Sequence, residues 1–309
     1  MRILVTGGNG FLGQALQREF AKFPEHRVDF PTRAQCNIEV GSLLSRYLAN
    51  GPYDCILHAA ALCGGILANK ENPAKFIAVN LAMGLNVYEA ARQHRIPYIY
   101  ALGSTCEYPM YCPTPFREDD LWSNYPEQTN APYGVSKRVL LVLQNSYRES
   151  YGIKGTHLIP ANLFGSHDHF DLKNSHVIPA LINKFVTAQS NNSPEVHCWG
   201  TGEATREFLY VEDAAEAIVK TVLMQVDHEK PINLGTGCEI SIKDLAYLIA
   251  KLVGFQGKII FTGEVSDGQP KRRLDVSRAK ELLNFEANTS LENGLDKTIA
   301  WYKENLHGK

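Results

Sequence analysis

No apolar run in these 309 residues approaches the ~20 that a membrane-spanning helix requires. The first residues show no charged, apolar and cleavage-site succession of the secretory kind, because a strand pattern starts at once. Neither sign of charge dominates. Lys and Arg number 31 against 33 Asp and Glu, a net charge of −2, which argues against nucleic acid or an anionic membrane surface as partner. No Cys-x-x-Cys occurs. The seven cysteines (36, 55, 63, 106, 112, 198 and 238) are odd in number and scattered, so neither a metal site nor a disulfide framework is suggested. Most are expected to be small buried hydrophobes in a reducing cytoplasm. There is no internal repeat and no low-complexity tract, and Asn191-Asn192-Ser193-Pro194 is too short to be a linker.

What is present is concentrated at the N-terminus. Ile3, Leu4 and Val5 form a short apolar run that stops at glycines, as a buried parallel strand does. Gly8, Gly10 and Gly13 then fit G-x-G-x-x-G, and Phe11, Leu12, Ala15, Leu16 and Phe20 follow at helical spacing. Strand, glycine turn and helix in that order are the context of a dinucleotide fingerprint. The turn must be tight, a backbone must come close to a pyrophosphate, and the helix start offers it free N–H groups and the positive dipole end.

The next strand, near Arg27–Phe30, bears on the cofactor. An acidic residue about 20 positions past the glycines holds a ribose 2′-hydroxyl, whereas an Arg accommodates a 2′-phosphate. Here the strand runs out into Pro31-Thr32-Arg33, and the nearest carboxylate is Asp29. NADP(H) is therefore favoured, with NAD(H) possible. Further strands read at Cys55–Ala61, Ile96–Leu102 and Thr156–Ala161, with helices over Phe76–Arg95 and Tyr133–Tyr151. Such strand–helix repeats imply an α/β fold, a doubly wound parallel sheet of Rossmann type. Beyond Asn162 the pattern changes. Ser166–Ser175 is polar and irregular, a helix reads over Val177–Ser190, a strand over Arg206–Tyr210 and a helix over Glu212–Met224. Ile232–Gly235 reads as a strand, and Lys243–Val253, Arg278–Leu283 and Leu291–Asn305 as helices. Residues 1–162 and 210–235 are expected to form the dinucleotide-binding domain, and 163–209 with 236–309 a smaller α+β substrate lobe. The cleft between them lies at the strand C-termini.

Tyr133 and Lys137 stand at i and i+4, on one helix face. A phenol with a reference pKa of about 10 is a poor acid–base group at neutral pH. A neighbouring ammonium is expected to draw it toward neutrality, so that Tyr133 passes a proton to a carbonyl oxygen while hydride moves at carbon. Lys137 would also reach a ribose hydroxyl. Ser104 and Cys106, two apart at a strand end, point to one side. Ser104 can bond the same oxygen as Tyr133, and Cys106 offers a thiol, with His176 a candidate partner.

These stretches together resemble the extended short-chain dehydrogenase/reductase family, and within it the bifunctional 3,5-epimerase–4-reductases of GDP-4-keto-6-deoxy sugars. The resemblance rests on Thr6-Gly-Gly-Asn-Gly-Phe-Leu-Gly13, Gly64-Gly-Ile-Leu-Ala-Asn69, Gly103-Ser-Thr-Cys-Glu-Tyr-Pro109 and Thr129-Asn-Ala-Pro-Tyr-Gly-Val-Ser-Lys137. It rests also on Pro160-Ala-Asn-Leu-Phe-Gly165, Asn174-Ser-His-Val-Ile-Pro-Ala-Leu181 and Arg206-Glu-Phe-Leu-Tyr210. It implies an NADPH-dependent enzyme with Ser104, Tyr133 and Lys137 as reductase triad and Cys106 and His176 as base and acid of epimerisation. Gly7, Gly10, Phe11, Leu12, Gly13, Arg33, Ala60 and Lys137 would face the cofactor. Lys184, Trp199, Arg206 and Arg272 would hold the nucleotide diphosphate and sugar. A homodimer through helices 77–95 and 133–151 is implied as well. Departures are Thr105 for a family Ser, Glu107 where an apolar residue is usual, and Asn9 where a basic one is frequent. Thr105-Cys106-Glu107 also echoes the Thr-Asp-Glu of sugar-nucleotide 4,6-dehydratases, with a thiol in place of the acid. The alternatives are thus an NAD-dependent 4-epimerase or 4,6-dehydratase and, third, a non-catalytic dinucleotide-binding regulator, which could dispense with Tyr133 and Lys137.

Overall fold

A computed structural model describes residues 1–171, 175–263 and 268–305. The chain opens with β1 (Arg2–Thr6), α1 (Phe11–Phe20), β2 (Arg27–Asp29), α2 (Gly41–Leu48) and β3 (Cys55–His58). It continues through α3 (Ile66–Glu71), α4 (Pro73–Gln93), β4 (Tyr98–Leu102), α5 (Ala131–Tyr151) and β5 (Lys154–Pro160). Then come β6 (Asn162–Phe164), α6 (Val177–Ser190), β7 (Glu195–Cys198), β8 (Thr205–Arg206), β9 (Phe208–Tyr210), α7 (Val211–Leu223) and β10 (Ile232–Leu234). The chain closes with β11 (Ile240–Ser241), α8 (Ile242–Val253), β12 (Lys258–Phe261), α9 (Ser277–Leu283) and α10 (Leu291–Asn305).

Six strands form one parallel sheet in the order β10-β5-β4-β3-β1-β2, in register Ile3 with Cys55 and Cys55 with Tyr98. This is the doubly wound Rossmann arrangement, with the chain reversing direction across the sheet between β1 and β3. Strand side chains alternate between the two faces. Ile3, Val5, Leu57 and Tyr100 join Leu16 of α1 and Ile218 of α7 in one core, while Leu4, Ile56 and Ile99 join Leu44 of α2, Val87 of α4 and Leu140 of α5 in another. The sheet is buried on both sides, which explains why its strands read as continuous apolar runs. A third core gathers Phe164 of β6 with Ile182 and Phe185 of α6, Leu245 and Ile249 of α8 and Ile299 of α10.

One expectation is corrected, and some short elements went unread. The strand over Arg206–Tyr210 breaks at Glu207 into β8 and β9. The buried Glu207 carboxylate accepts the backbone N–H groups of Leu274 at 2.6 Å, Thr236 at 2.5 Å and Gly237 at 2.8 Å, leaving β8 to pair with β11 and β9 with β6. The short helices α2 and α3 and the parallel pair β7–β12 carry too little periodicity to be read from sequence. The irregular Ser166–Ser175 stretch falls partly on residues 172–174, outside the described residues, as does Asn174 of the Asn-Ser-His motif. Among the described residues, no helix is long and apolar enough to cross a membrane.

Candidate active site

The ends of β1, β3, β4 and β5 open onto a single cleft of about 890 Å³. Its floor begins at the glycine turn. Gly7 sits at φ +77°, and a Cβ there would lie 2.8 Å from the Ala60 backbone; one on Gly13 would lie 2.2 Å from the Gly7 carbonyl oxygen. Those glycines are demanded by the protein's own turn. Gly10 is different. A Cβ there meets only the Gly7 oxygen at 3.3 Å, so the turn itself makes a weaker demand for glycine. A ligand backbone lying against the start of α1 supplies the missing reason, and the dinucleotide pyrophosphate fits that cradle.

At the rim, Arg33 is exposed and its guanidinium pairs with Glu39 at 2.8 Å. Asp29 is occupied elsewhere. It accepts from Arg2 at 3.0 Å and from the Tyr53 hydroxyl at 2.7 Å.

Beyond β4, Ser104 begins a 3-10 turn, Thr105–Glu107. Its hydroxyl accepts from the Cys106 N–H at 3.2 Å, and its own N–H donates to the Glu107 carboxylate at 2.7 Å. Glu107 is fully buried, with both carboxylate oxygens 3.1 Å from Nε2 of His157. The carboxylate thus caps the turn from behind and does not line the cleft. The turn presses onto α5 because residue 134 is glycine, where a Cβ would come within 2.2 Å of the Cys106 carbonyl oxygen. That close approach sets Cys106 beside Tyr133. Gly134 stands next to the tyrosine in the sequence, but nothing in the sequence reveals what it approaches.

Tyr133 makes an edge contact with the Phe76 ring, centroids 6.5 Å apart, and the Ser104 side chain lies near its phenol. The expectation that Lys137 draws its phenol toward neutrality is not met. Burial pushes the phenol well above its usual value, with Cys63, Cys106 and Glu107 adding to the rise and Ser104 opposing it. The Lys137 Nζ lies 5.9 Å from the ring centroid and donates to the Leu102 carbonyl at 2.9 Å. Tyr133 is therefore a protonated donor at neutral pH, the state needed to give a proton to a carbonyl oxygen. Lys137 itself is lowered to about 8 by burial, against the opposing influence of Glu107 and Cys63.

Across the cleft, His176 precedes α6 as its N-cap residue. Burial and the neighbouring His169 lower its imidazole below the ordinary value. At the far end, the Lys184 Nζ lies 4.7 Å over the Trp199 ring and donates to the His197 carbonyl at 2.8 Å. Arg206 donates to the Thr205 and Gln269 carbonyls at 2.7 and 2.6 Å. Arg272 is almost fully buried and turned onto Thr105 and Cys106. Every residue expected to face cofactor or substrate lines this one cleft, from Gly7 to Arg272.

The model of the NAD dependent epimerase/dehydratase family matches residues 3–235. The chain belongs to that family. Within it, this chain is 36% identical to GDP-L-fucose synthase of Escherichia coli (strain K12), the match covering 98% of this chain and 97% of the relative. Among solved structures, a GDP-L-fucose synthetase from Naegleria fowleri bound to NADP superposes with a TM-score of 0.87 at 27% identity, over 99% of this chain and 95% of that one. A GDP-6-OMe-4-keto-L-xylo-heptose reductase from C. jejuni superposes with a TM-score of 0.91 at 25% identity, over 98% of each chain.

For this member of the epimerase/dehydratase family, several cleft residues had no individual role assigned from sequence. Cys63, Asn69, Asn130 and Asn162 all line it. Asn69 donates to the Gly64 and Gly65 carbonyls at 3.0 and 3.1 Å and so holds the loop after β3. Cys63 also corrects the expectation that most cysteines are buried hydrophobes. Only Cys36, Cys55 and Cys198 are buried, while Cys63 and Cys106 open into the cleft.

The lowered Lys137 gives a pH dependence with two opposite signs. An ammonium that titrates at about 8 is lost as pH rises through 8, and hydride transfer should fall with it. For stability the sign reverses. Between pH 8 and 10.5 the unfolded chain holds a proton that the folded one has released, so stability rises with pH there. Below pH 8 the whole cost of burying the charge is borne, about 3 kcal/mol from the difference between 10.5 and 8. Rate profiles and melting curves recorded from pH 6 to 10 check both, in about half-unit steps across the ~1-unit spread usual for such groups. A rate flat through that range would remove the ammonium from the mechanism.

Proposed function

We propose that this protein is an NADPH-dependent epimerase–reductase acting on a GDP-4-keto-6-deoxyhexose, or on a close heptose or dideoxy analogue. The observation that carries this reading is one continuous cleft holding a dinucleotide turn, a Ser104/Tyr133/Lys137 cluster and a Cys106 thiol, with the His176 imidazole on the α6 wall. The relatives' names point the same way, being GDP-sugar synthases and reductases.

In this reading the 4-keto group acidifies the protons at C3 and C5. Cys106 removes one as base, the enolate forms at O4 against the Ser104 and Tyr133 donors, and His176 returns a proton to the opposite face. His176 is lowered, so it must take up a proton before it donates one. NADPH, when bound, supplies the hydride for C4. Tyr133 then protonates O4, and Lys137 orients the ribose with the donors that the Leu102 carbonyl leaves over. Lys184, Trp199 and Arg206 hold the nucleotide end, where Trp199 offers a half-exposed ring and the cations offer charge to the diphosphate.

Arg33 is assigned to the 2′-phosphate, which would compete with Glu39 for its guanidinium. Arg33→Ala should weaken NADPH about tenfold more than NADH, the scale of one charge-assisted contact. Equal loss of both, measured by fluorescence titration, would end that assignment.

Residues 1–162 with 210–235 are assigned as the cofactor lobe and 163–209 with 236–309 as the sugar-nucleotide lobe. A homodimer through helices 77–95 and 133–151 is supported by α4 and α5 packing side by side, with Leu85 and Val142 exposed on them. A cytoplasmic location accompanies the unpaired cysteines. The 4,6-dehydratase alternative loses support from Glu107, whose carboxylate faces His157 behind the turn. Incubation with GDP-4-keto-6-deoxymannose and NADPH in heavy water tests the whole reading. The expected product is reduced at C4 and carries deuterium at C3 or C5. Turnover without net NADPH consumption would favour a 4-epimerase or dehydratase instead.

A further inference from the structure

Arg272 was expected among the residues that hold the nucleotide diphosphate and sugar, and its surroundings point to a further role. It is only 7% exposed. Its Nε donates to the Gln269 side-chain oxygen at 3.1 Å, and its Nη1 donates to the Thr105 hydroxyl at 3.3 Å and to the Cys106 sulfur at 3.8 Å. Those partners are a neutral amide, a neutral hydroxyl and the thiol. Within this set the guanidinium charge is not spent on a carboxylate. Gln269 is itself a strut. It is 2% exposed and donates through Nε2 to the Pro109 and Met110 carbonyls at 2.8 and 3.1 Å, anchoring Arg272 to the segment that follows Cys106. A planar guanidinium fixed at Nε has little freedom to leave its place.

We propose that Arg272 is a catalytic residue of the epimerisation step, holding the Cys106 sulfur as an anion so that it can act as base. This rests on the epimerase–reductase reading and adds a role to it. The chemistry balances within the site. Cys106 first gives its proton to solvent. The thiolate then takes the proton from C3 or C5, so that a C–H bond breaks and an S–H bond forms. The electron pair passes to the 4-keto oxygen, where Tyr133 and Ser104 meet it. A long N–H···S contact to a neutral thiol becomes a charge-assisted one when the sulfur is ionised, and an adjacent cation is how reactive cysteines are activated.

Two measurements on Arg272→Gln test this. The first is the rate of iodoacetamide alkylation at pH 7.5, a few tenths below the Lys137 midpoint of about 8, read by mass spectrometry on the peptide holding Cys106. It should fall about tenfold, since the thiolate is the nucleophile. Arg272→Lys, which keeps the charge, should restore most of it. The second measurement is deuterium exchange at C3 and C5 under saturating sugar nucleotide, set against GDP affinity. Exchange should fall about tenfold or more while GDP affinity changes by less than about threefold, because the lost interaction acts in the proton transfer. An alkylation rate within about twofold of wild type in a variant with an unchanged melting curve would overturn the proposal, as would a tenfold loss of GDP affinity with exchange intact. Should Arg272→Gln fail to fold, Gln269→Glu takes over. It is isosteric, gives Arg272 a carboxylate partner, and should slow alkylation several-fold; an unchanged rate would overturn the proposal. The alkylation arm uses no sugar. A wild-type protein that leaves the GDP-sugar untouched, yet shows alkylation dependent on Arg272, would overturn the catalytic role together with the enzyme reading and leave only the coupling of Arg272 to the Cys106 sulfur.

Discussion

Tyr133→Phe should lower hydride transfer by about 10²- to 10⁴-fold, the usual worth of a positioned general acid. The substitution removes one hydroxyl and little else. A phenylalanine keeps the edge contact with Phe76 and the place on α5, so the melting temperature and NADPH affinity should stay near wild type. What disappears is a donor that burial keeps protonated. Without it, the oxygen at C4 becomes an alkoxide with no acid beside it. The measurement is single-turnover oxidation of NADPH with the keto-sugar, together with a binding titration. Unchanged turnover would eliminate Tyr133 from the proton transfer. Loss of NADPH binding alongside turnover would recast it as a cofactor contact.

Cys106→Ser should abolish deuterium incorporation at C3 and C5, a fall of at least about 10²-fold on the same general-base scale. Serine preserves the backbone of the turn, whose Ser104 cap and Glu107 anchor do not use the thiol. It also leaves an oxygen for Arg272 to meet. A hydroxyl, however, does not ionise near neutral pH as a thiol beside a cation can. Reduction at C4 should survive, because Tyr133, Ser104 and Lys137 are untouched. The product is then the unepimerised alcohol, which mass spectrometry and proton NMR separate from the labelled one. Exchange persisting at the wild-type rate in the serine variant would remove Cys106 as base and the Arg272 proposal with it.

The cofactor half of the site was legible because its chemistry is written in contiguous residues. A strand, three glycines and a helix follow one another within the first twenty positions, and a helix places Tyr133 and Lys137 on one face by its period alone. Apolar runs gave the sheet for the same reason, since each of its strands is buried on both faces. Local patterns failed where a long-range contact overrides them. The strand at Arg206–Tyr210 is interrupted because Glu207 is drawn to the backbones of residues 236, 237 and 274.

The sequence alone therefore determined the fold class, the dinucleotide turn and the Tyr133/Lys137 pair, since these follow from period, spacing and residue chemistry, while the sugar-nucleotide residues came from the family resemblance. Tertiary structure decided the electrostatics. Burial outweighs the i+4 ammonium at Tyr133, and the Glu107 carboxylate is spent on a buried cap. A distant arginine reaches the thiol because the Gln269 strut brings residue 272 back across the fold to residue 106. Desolvation and contacts between residues more than a hundred positions apart have no local signature, so only the folded chain could fix them.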